Sequence, residues 1–197
     1  MLTEWTGLSI QTAPSSEPVT TAEVKSQARI DGTDEDTLLD RLISVARVTV
    51  EKSTGRTLIS QTWDVNYDDF PSGGNPIYLP NPPLQSVSSI SYVDNAGSTQ
   101  TWGASNYTVD TDADIGRIFP AYDKSYPTVR NQRNAVTVRF VSGYGASSSD
   151  VPEPIRHAIL MMAGEMFERR EEGIAGTTVN RALIASNNLL IPYMIFS

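Results

Sequence analysis

DEDTLLDRLISVARVTVEKSTG, residues 34–55, decides how this chain is read. Leu38, Leu39, Leu42, Ile43, Val45, Ala46 and Val50 recur at spacings of three and four, the period of an amphipathic helix. Asp34, Glu35 and Asp36 stand where the positive end of that helix dipole would be, and Gly55 stands where a left-handed C-cap is wanted. The spacing predicts one long helix over residues 34–54. Just upstream, Thr20 followed three residues later by Glu23 is a capping-box pattern after Pro18, and Ala22, Val24, Ala28 and Ile30 continue it as a helix of two to three turns.

Downstream the acids change kind. From Thr57 to Asp150 all nine acidic residues are Asp and none is Glu, whereas both flanks are Glu-rich. Asp suits turns and Glu suits helices, so a β insert between two helical flanks is expected. Its strand-like pieces are TLISQTWDVNYDDF, IYLP, QSVSSISYVD, STQTW, NYTVD, GRIFP and NAVTVRFVSG. In the last of these Val136, Val138 and Phe140 alternate with Thr137 and Arg139, the period of a half-buried strand. Pro71, Pro76, Pro80, Pro82 and Pro83 confine the early pieces to edges and loops. A small antiparallel sheet or barrel-like sandwich follows.

The second flank opens at Val151-Pro152-Glu153-Pro154, with proline in a first helical turn. Ile155, Ala158, Ile159, Met162, Ala163, Met166 and Phe167 form one face of a helix running to Glu171. A Gly/Thr hinge over Gly173 to Thr178 precedes a short helix, Asn180 to Asn188, and then the run Leu189, Leu190, Ile191, Pro192, Tyr193, Met194, Ile195, Phe196. The fold class is α+β: a helical, bundle-like core with an inserted small antiparallel β domain. The chain divides into an N-terminal extension (1–17), a first helical core segment (18–56), the β insertion (57–150), a second helical core segment (151–177), and a short helix with a terminal tail (178–197).

Composition excludes several chemistries. The 197 residues carry 15 Lys plus Arg against 23 Asp plus Glu, a net charge of −8, the wrong sign for gripping a phosphate backbone. With no Cys, thiolate metal sites and cysteine nucleophiles are out, and one histidine, His157, leaves no multi-histidine site. No apolar run reaches the ~18 residues of a membrane span, and the N-terminal residues lack the basic end and apolar stretch of a signal peptide. Asn106-Tyr107-Thr108, a formal glycosylation triplet, therefore has no secretory context.

Asp110, Asp112 and Asp114 have calcium-loop spacing, but Ile115 sits where glycine is needed and Ala121 where the bidentate Glu belongs. An Asp-rich connection between strands is the plainer reading. Gly143-Tyr144-Gly145 fits no phosphate-loop pattern, and His157 has no nucleophile elbow to serve. No catalytic, cofactor-binding or metal site is expected. Trp63, Trp102 and the tyrosines of the β region are either cross-strand packing or a stacking platform for a ligand. The terminal run either folds back on its own core or docks on another chain, its size favouring docking. Pro192 should make it leave the short helix as a strand-like strap.

In order, PVTTAEVKSQARIDGTDEDTLLDRLISVARVTVEKSTGRTLISQTWDV, LPNPPLQSVSSISYVDNAG, NYTVDTDADIGRIFP and NAVTVRFVSGYG with VPEPIRHAILMMAGEMFERRE resemble the head-to-tail connector (adaptor) family of tailed bacteriophages. The likeness is to the subgroup with a β insertion between helices and spans Pro18 to Glu172. The resemblance implies a non-enzymatic ring, commonly of twelve subunits, below the portal of the head. Its implied partners are its own copies, the portal protein and the next neck or tail-completion protein; genomic DNA passes through the channel without specific binding, and no membrane or cofactor is involved. It implies a place in the virion neck after assembly in the host cytoplasm, in a phage or a phage-derived transfer particle. By place in the chain, it implies portal docking by Leu189 to Phe196. The alternative from another class is a carbohydrate-binding or hydrolytic module carried by the β region.

Overall fold

The computed structural model describes residues 5–169 and 181–195. The chain forms two compact units, one of Met1–Pro14 with Ser60–Tyr144 and the other of Ser15–Ile59 with Gly145–Ser197.

The first unit is all β. Its main sheet is antiparallel throughout and combines β1 (Gly7–Thr12), β2 (Gln61–Tyr67), β8 (Val136–Ser142), β4 (Leu84–Val93) and β5 (Thr99–Thr101), adjacent in that order. A smaller sheet joins β3 (Ile77–Tyr78), β7 (Arg117–Pro120) and β6 (Tyr107–Asp110). Period-two alternation sorts the main sheet into two faces. Register pairs Trp63 with Phe140, Val65 with Val138 and Tyr67 with Val136, and on the other side of β8 pairs Val87 with Phe140 and Ile90 with Val138. These residues share one apolar face. The opposite face carries Asp64, Asn66, Thr137, Arg139, Ser89 and Ser91. Facing the apolar side, Ile77, Ile118, Phe70, Leu79 and Trp102 complete the core. All five prolines flagged above fall outside the strands.

Two expectations change here. The first 17 residues are not simply an extension: Leu8 pairs with Val65 and Ile10 with Trp63, making β1 an edge strand of the main sheet. The helical unit also retains both ends of the segment read as the insertion. Thr57, Leu58 and Ile59 are buried, Leu58 N–H donates to Glu51 Oε1 at 3.0 Å, and Ile59 bridges to Gly145. Burial of that apolar triplet against its own helix outweighs its β propensity.

The second unit packs α1 (Thr21–Ala28), α2 (Asp36–Thr54), α3 (Glu153–Glu168) and α4 (Arg181–Leu190), with α3 touching each of the other three. Thr20 and Glu23 form the expected capping box, Thr20 N–H donating to Glu23 Oε2 at 2.7 Å. Gly55 caps α2 at φ 69°, in the left-handed region where glycine avoids a Cβ penalty. The buried stripe of α2 is Leu39, Ile43, Ala46, Val50 and Thr54; Val45, grouped with it by spacing, is exposed. The Gly/Thr hinge lies outside the described residues.

Candidate functional site

Of the candidate acids, Asp110 is committed to structure. Asp110 accepts from Arg117 Nη2 at 2.6 Å and Nε at 3.2 Å, and from the backbone of Asp112 and Ala113. Hydrogen bonding from Arg117 holds the Asp110 carboxyl below the usual carboxylate range. Asp112 and Asp114 are exposed, and Asp110 bonds the backbone of the β6–β7 turn that carries them. No group of three or more His, Asp or Glu side chains among the described residues could hold a metal. His157 is exposed on α3.

One aromatic cluster of the β unit, around Trp102, faces inward. Trp102 is 6% exposed and lies 5.5 Å from Phe70, 5.2 Å from Tyr107 and 5.2 Å from Tyr126, between ring centroids. Phe70 stacks on Tyr126 at 4.9 Å. Tyr67 donates its hydroxyl to the Tyr78 carbonyl at 2.6 Å, and Tyr126 directs its own at the carbonyls of Asn75 and Ile118. With Trp102 and Phe70 buried and packed on each other and on Tyr107 and Tyr126, this cluster is core packing, and the carbohydrate reading loses its platform.

The GYG junction is explained by packing. A Cβ on Gly145 would lie 2.1 Å from Asp150 Oδ2, and Asp150 accepts from Ser147 N–H at 2.9 Å. Ser147 and Asp150 form a capping box over the 3-10 turn Ser148–Asp150 that leads into α3. Glycine is needed there for close approach.

The terminal run departs from the expected strap. Helix α4 includes Leu189 and Leu190, and Ile191–Tyr193 continue as a 3-10 turn, a geometry that admits Pro192 near its start. Leu190 is fully buried. Arg56 Nε donates to the Tyr193 carbonyl at 2.7 Å, and Ile195 N–H donates to the Thr54 carbonyl at 2.9 Å. Tyr193, Met194 and Ile195 are half-buried, Ile191 is 52% exposed and Pro192 is exposed; Phe196 lies outside the described residues. Most of the run belongs to its own unit.

What remains is surface. Besides Ile191, the large apolar side chains that face water are Trp5, Ile10 and Tyr122 in the β unit and Val45 and Val48 on α2. The α2 pair does not stand out in a sequence whose apolar residues fall on both sides of the helix, although a helical wheel places it opposite Leu39 and Ile43.

Comparison with known proteins gives a consistent result. The family model described as phage gp6-like head-tail connector protein matches residues 19–114, from the start of α1 through the β6–β7 turn. No curated protein matches. Among solved structures, a chain from the neck of an empty gene transfer agent (GTA) particle computed with C6 symmetry superposes at TM-score 0.80 and 23% identity, covering 98% of this chain and 97% of that one. A chain of the native GTA virion gives 0.79 at 23% identity, and one from the native neck computed with C12 symmetry gives 0.74 at 21%, with the same coverage. The α+β fold is therefore that of a particle-neck protein over nearly its whole length.

Proposed function

We infer that the chain belongs to the phage gp6-like head-tail connector family, and from that premise we propose that it is a structural adaptor subunit in the neck of a tailed phage or phage-like particle. The observation that carries this reading is the family match across α1, α2 and strands β2 to β6. The near-complete fold likeness to neck chains supports it. The subunit acts by assembly, without catalysis. It forms a closed ring, of twelve copies, between the portal above and the next neck or tail-completion protein below. The C6 and C12 symmetries of the similar necks support a cyclic arrangement. An acidic chain suits a channel through which DNA must slide, since net repulsion keeps the genome from adhering. Assembly takes place in the host cytoplasm.

Of the terminal run, Ile191 and Pro192 are the described residues left free to meet the portal. The test is imaging of intact particles with the protein labelled, together with mixing of purified protein and portal-bearing heads. Density at the neck and attachment to heads are expected. Label on the capsid shell or tail fibres, with no attachment, would rule the reading out.

A further inference from the structure

Helix α2 has a second organised face. Directly opposite its buried stripe, Thr37, Arg41, Val45, Val48 and Lys52 follow one another at steps of four, four, three and four, and all five are exposed. Val45 is 50% exposed and Val48 38%. β-branched residues lower helix propensity, so two valines facing water are a poor choice for a face that only contacts solvent. The stripe also contains no acid, in a chain with 23 acids and 15 bases. Arg41 and Lys52 make no ion pair or hydrogen bond among the described residues. An apolar centre bracketed by two cations with no partner among the described residues is suited to an acidic partner.

The chain carries a matching surface of its own. The turn before α2 exposes Asp31 and Asp34, which likewise have no ion pair among the described residues. Lys25 holds this turn in shape, donating from Nζ to the Gly32 carbonyl and to Asp36 Oδ1, the latter at 2.8 Å. The turn sits at the start of α2 and the stripe on its flank, Val45 lying about 14 Å along the axis from Asp36 at ~1.5 Å per residue. They are different patches, so a contact between copies that joins one to the other is heterologous, the kind that propagates and closes into rings.

Resting on the ring reading above, we propose that the outer face of α2, centred on Val45 and Val48 between Arg41 and Lys52, receives the acidic Asp31–Asp36 turn of a second copy. Val45 and Val48 supply the desolvated centre, and the charges fix the register and direction of assembly.

A charge exchange tests this. One chain carries Arg41→Glu with Lys52→Glu, and the other carries Asp31→Lys with Asp34→Lys; circular dichroism checks that both remain folded. Each alone places like charges across the contact, and its yield of rings, with or without portal-bearing heads, should fall by more than about tenfold. Mixed in equal amounts they restore opposite charges at both kinds of junction in an alternating ring, so assembly should return. As a second measurement, Val45→Cys in one chain and Thr33→Cys in the other should give an intermolecular cross-link. Rings from either variant alone would assign the face to another occupant, such as a portal surface or the chain's own residues 170–180, and overturn the proposal. Failure of the mixture to assemble, or no cross-link in assembled rings, overturns it equally while leaving the ring reading standing. A wild-type chain that forms no ring even on portal-bearing heads overturns that reading and this contact with it.

Discussion

Arg156 Nη2 lies 2.5 Å from Glu23 Oε1, joining the first turns of two helices through residues 133 positions apart in sequence. The same guanidinium donates to the Pro18 carbonyl at 3.0 Å and to Glu153 Oε2 at 2.7 Å. Glu23 also closes the Thr20 capping box, so one carboxylate holds the start of α1 and fastens it to α3. The Arg156 side chain is 17% exposed and Glu23 37%, so solvent screens some of the attraction. Arg156→Met should cost about 1–2 kcal/mol, the value of charged hydrogen bonds reduced for that exposure, read from the urea midpoint.

Glu23 makes this contact pH-dependent. The Thr20 backbone hydrogen bond, joined by the Thr20 hydroxyl and Arg156, holds its carboxyl below the ordinary 4.5. A lowered folded value means that its stabilisation is complete above the unfolded value and is lost as pH falls through the folded one. The stability difference between wild type and Glu23→Gln should be constant near neutrality and shrink below about pH 4.5. Melting temperatures of both proteins from pH 7 to pH 3 check it; parallel curves would show that the carboxylate contributes nothing through its charge.

At the alkaline end the sign reverses. Burial pushes the Tyr126 hydroxyl up to about 12 and raises Tyr67 further. Groups with raised folded values stabilise fully below the unfolded value, near 10, and progressively less above it. Burial raises Tyr107 as well, so spectrophotometric titration should show three of the eight tyrosines ionising late, together with alkaline unfolding. Tyr126→Phe, which removes one of them, should flatten the loss of stability above pH 10.

What was legible in the sequence was local. The Thr20 capping box, the Gly55 cap and the α2 span are written within a few residues of where they act. The insertion is visible because turn-forming Asp replaces Glu. β1 was not legible, because the partner of GLSIQT begins about 50 residues later and the strand lacks clear alternation. Val45 was misplaced because apolar residues fall on both sides of α2, so spacings of three and four alone group it with the buried stripe. For the candidate site, the acids at Asp110 to Asp114 could be read as a turn from their flawed calcium spacing. The fate of Leu190 could not be read at all, since an apolar tail has the same composition whether it folds home or docks elsewhere.

Gly145 and Asp150 offer a test of close packing. Gly145→Ala places a Cβ 2.1 Å from Asp150 Oδ2 and 2.5 Å from its Cβ, so the cap over Ser147 must shift. The expected cost is about 1–3 kcal/mol, the range for overpacking. In an Asp150→Gly background the obstacle is gone, and the same substitution should be close to neutral. A double-mutant cycle measures this coupling; additive losses would place the need for glycine in some other contact.

The last prediction concerns the tail, whose two ends of behaviour are separable. Truncation after Asn188 removes the fully buried Leu190, the Ile195 N–H bond to the Thr54 carbonyl and the Arg56 bond to the Tyr193 carbonyl. Loss of a buried leucine costs about 2–5 kcal/mol and each hydrogen bond about 1 kcal/mol. The helical unit should therefore lose at least ~3 kcal/mol in urea unfolding, with exposed apolar surface promoting aggregation. Ile191 is different, because its side chain already faces water. Ile191→Asp should leave stability within about 0.5 kcal/mol, as surface changes do, while reducing attachment to portal-bearing heads. Should truncation leave the urea midpoint unmoved, the tail does not belong to the core. Should Ile191→Asp attach normally, the portal meets this subunit through another surface.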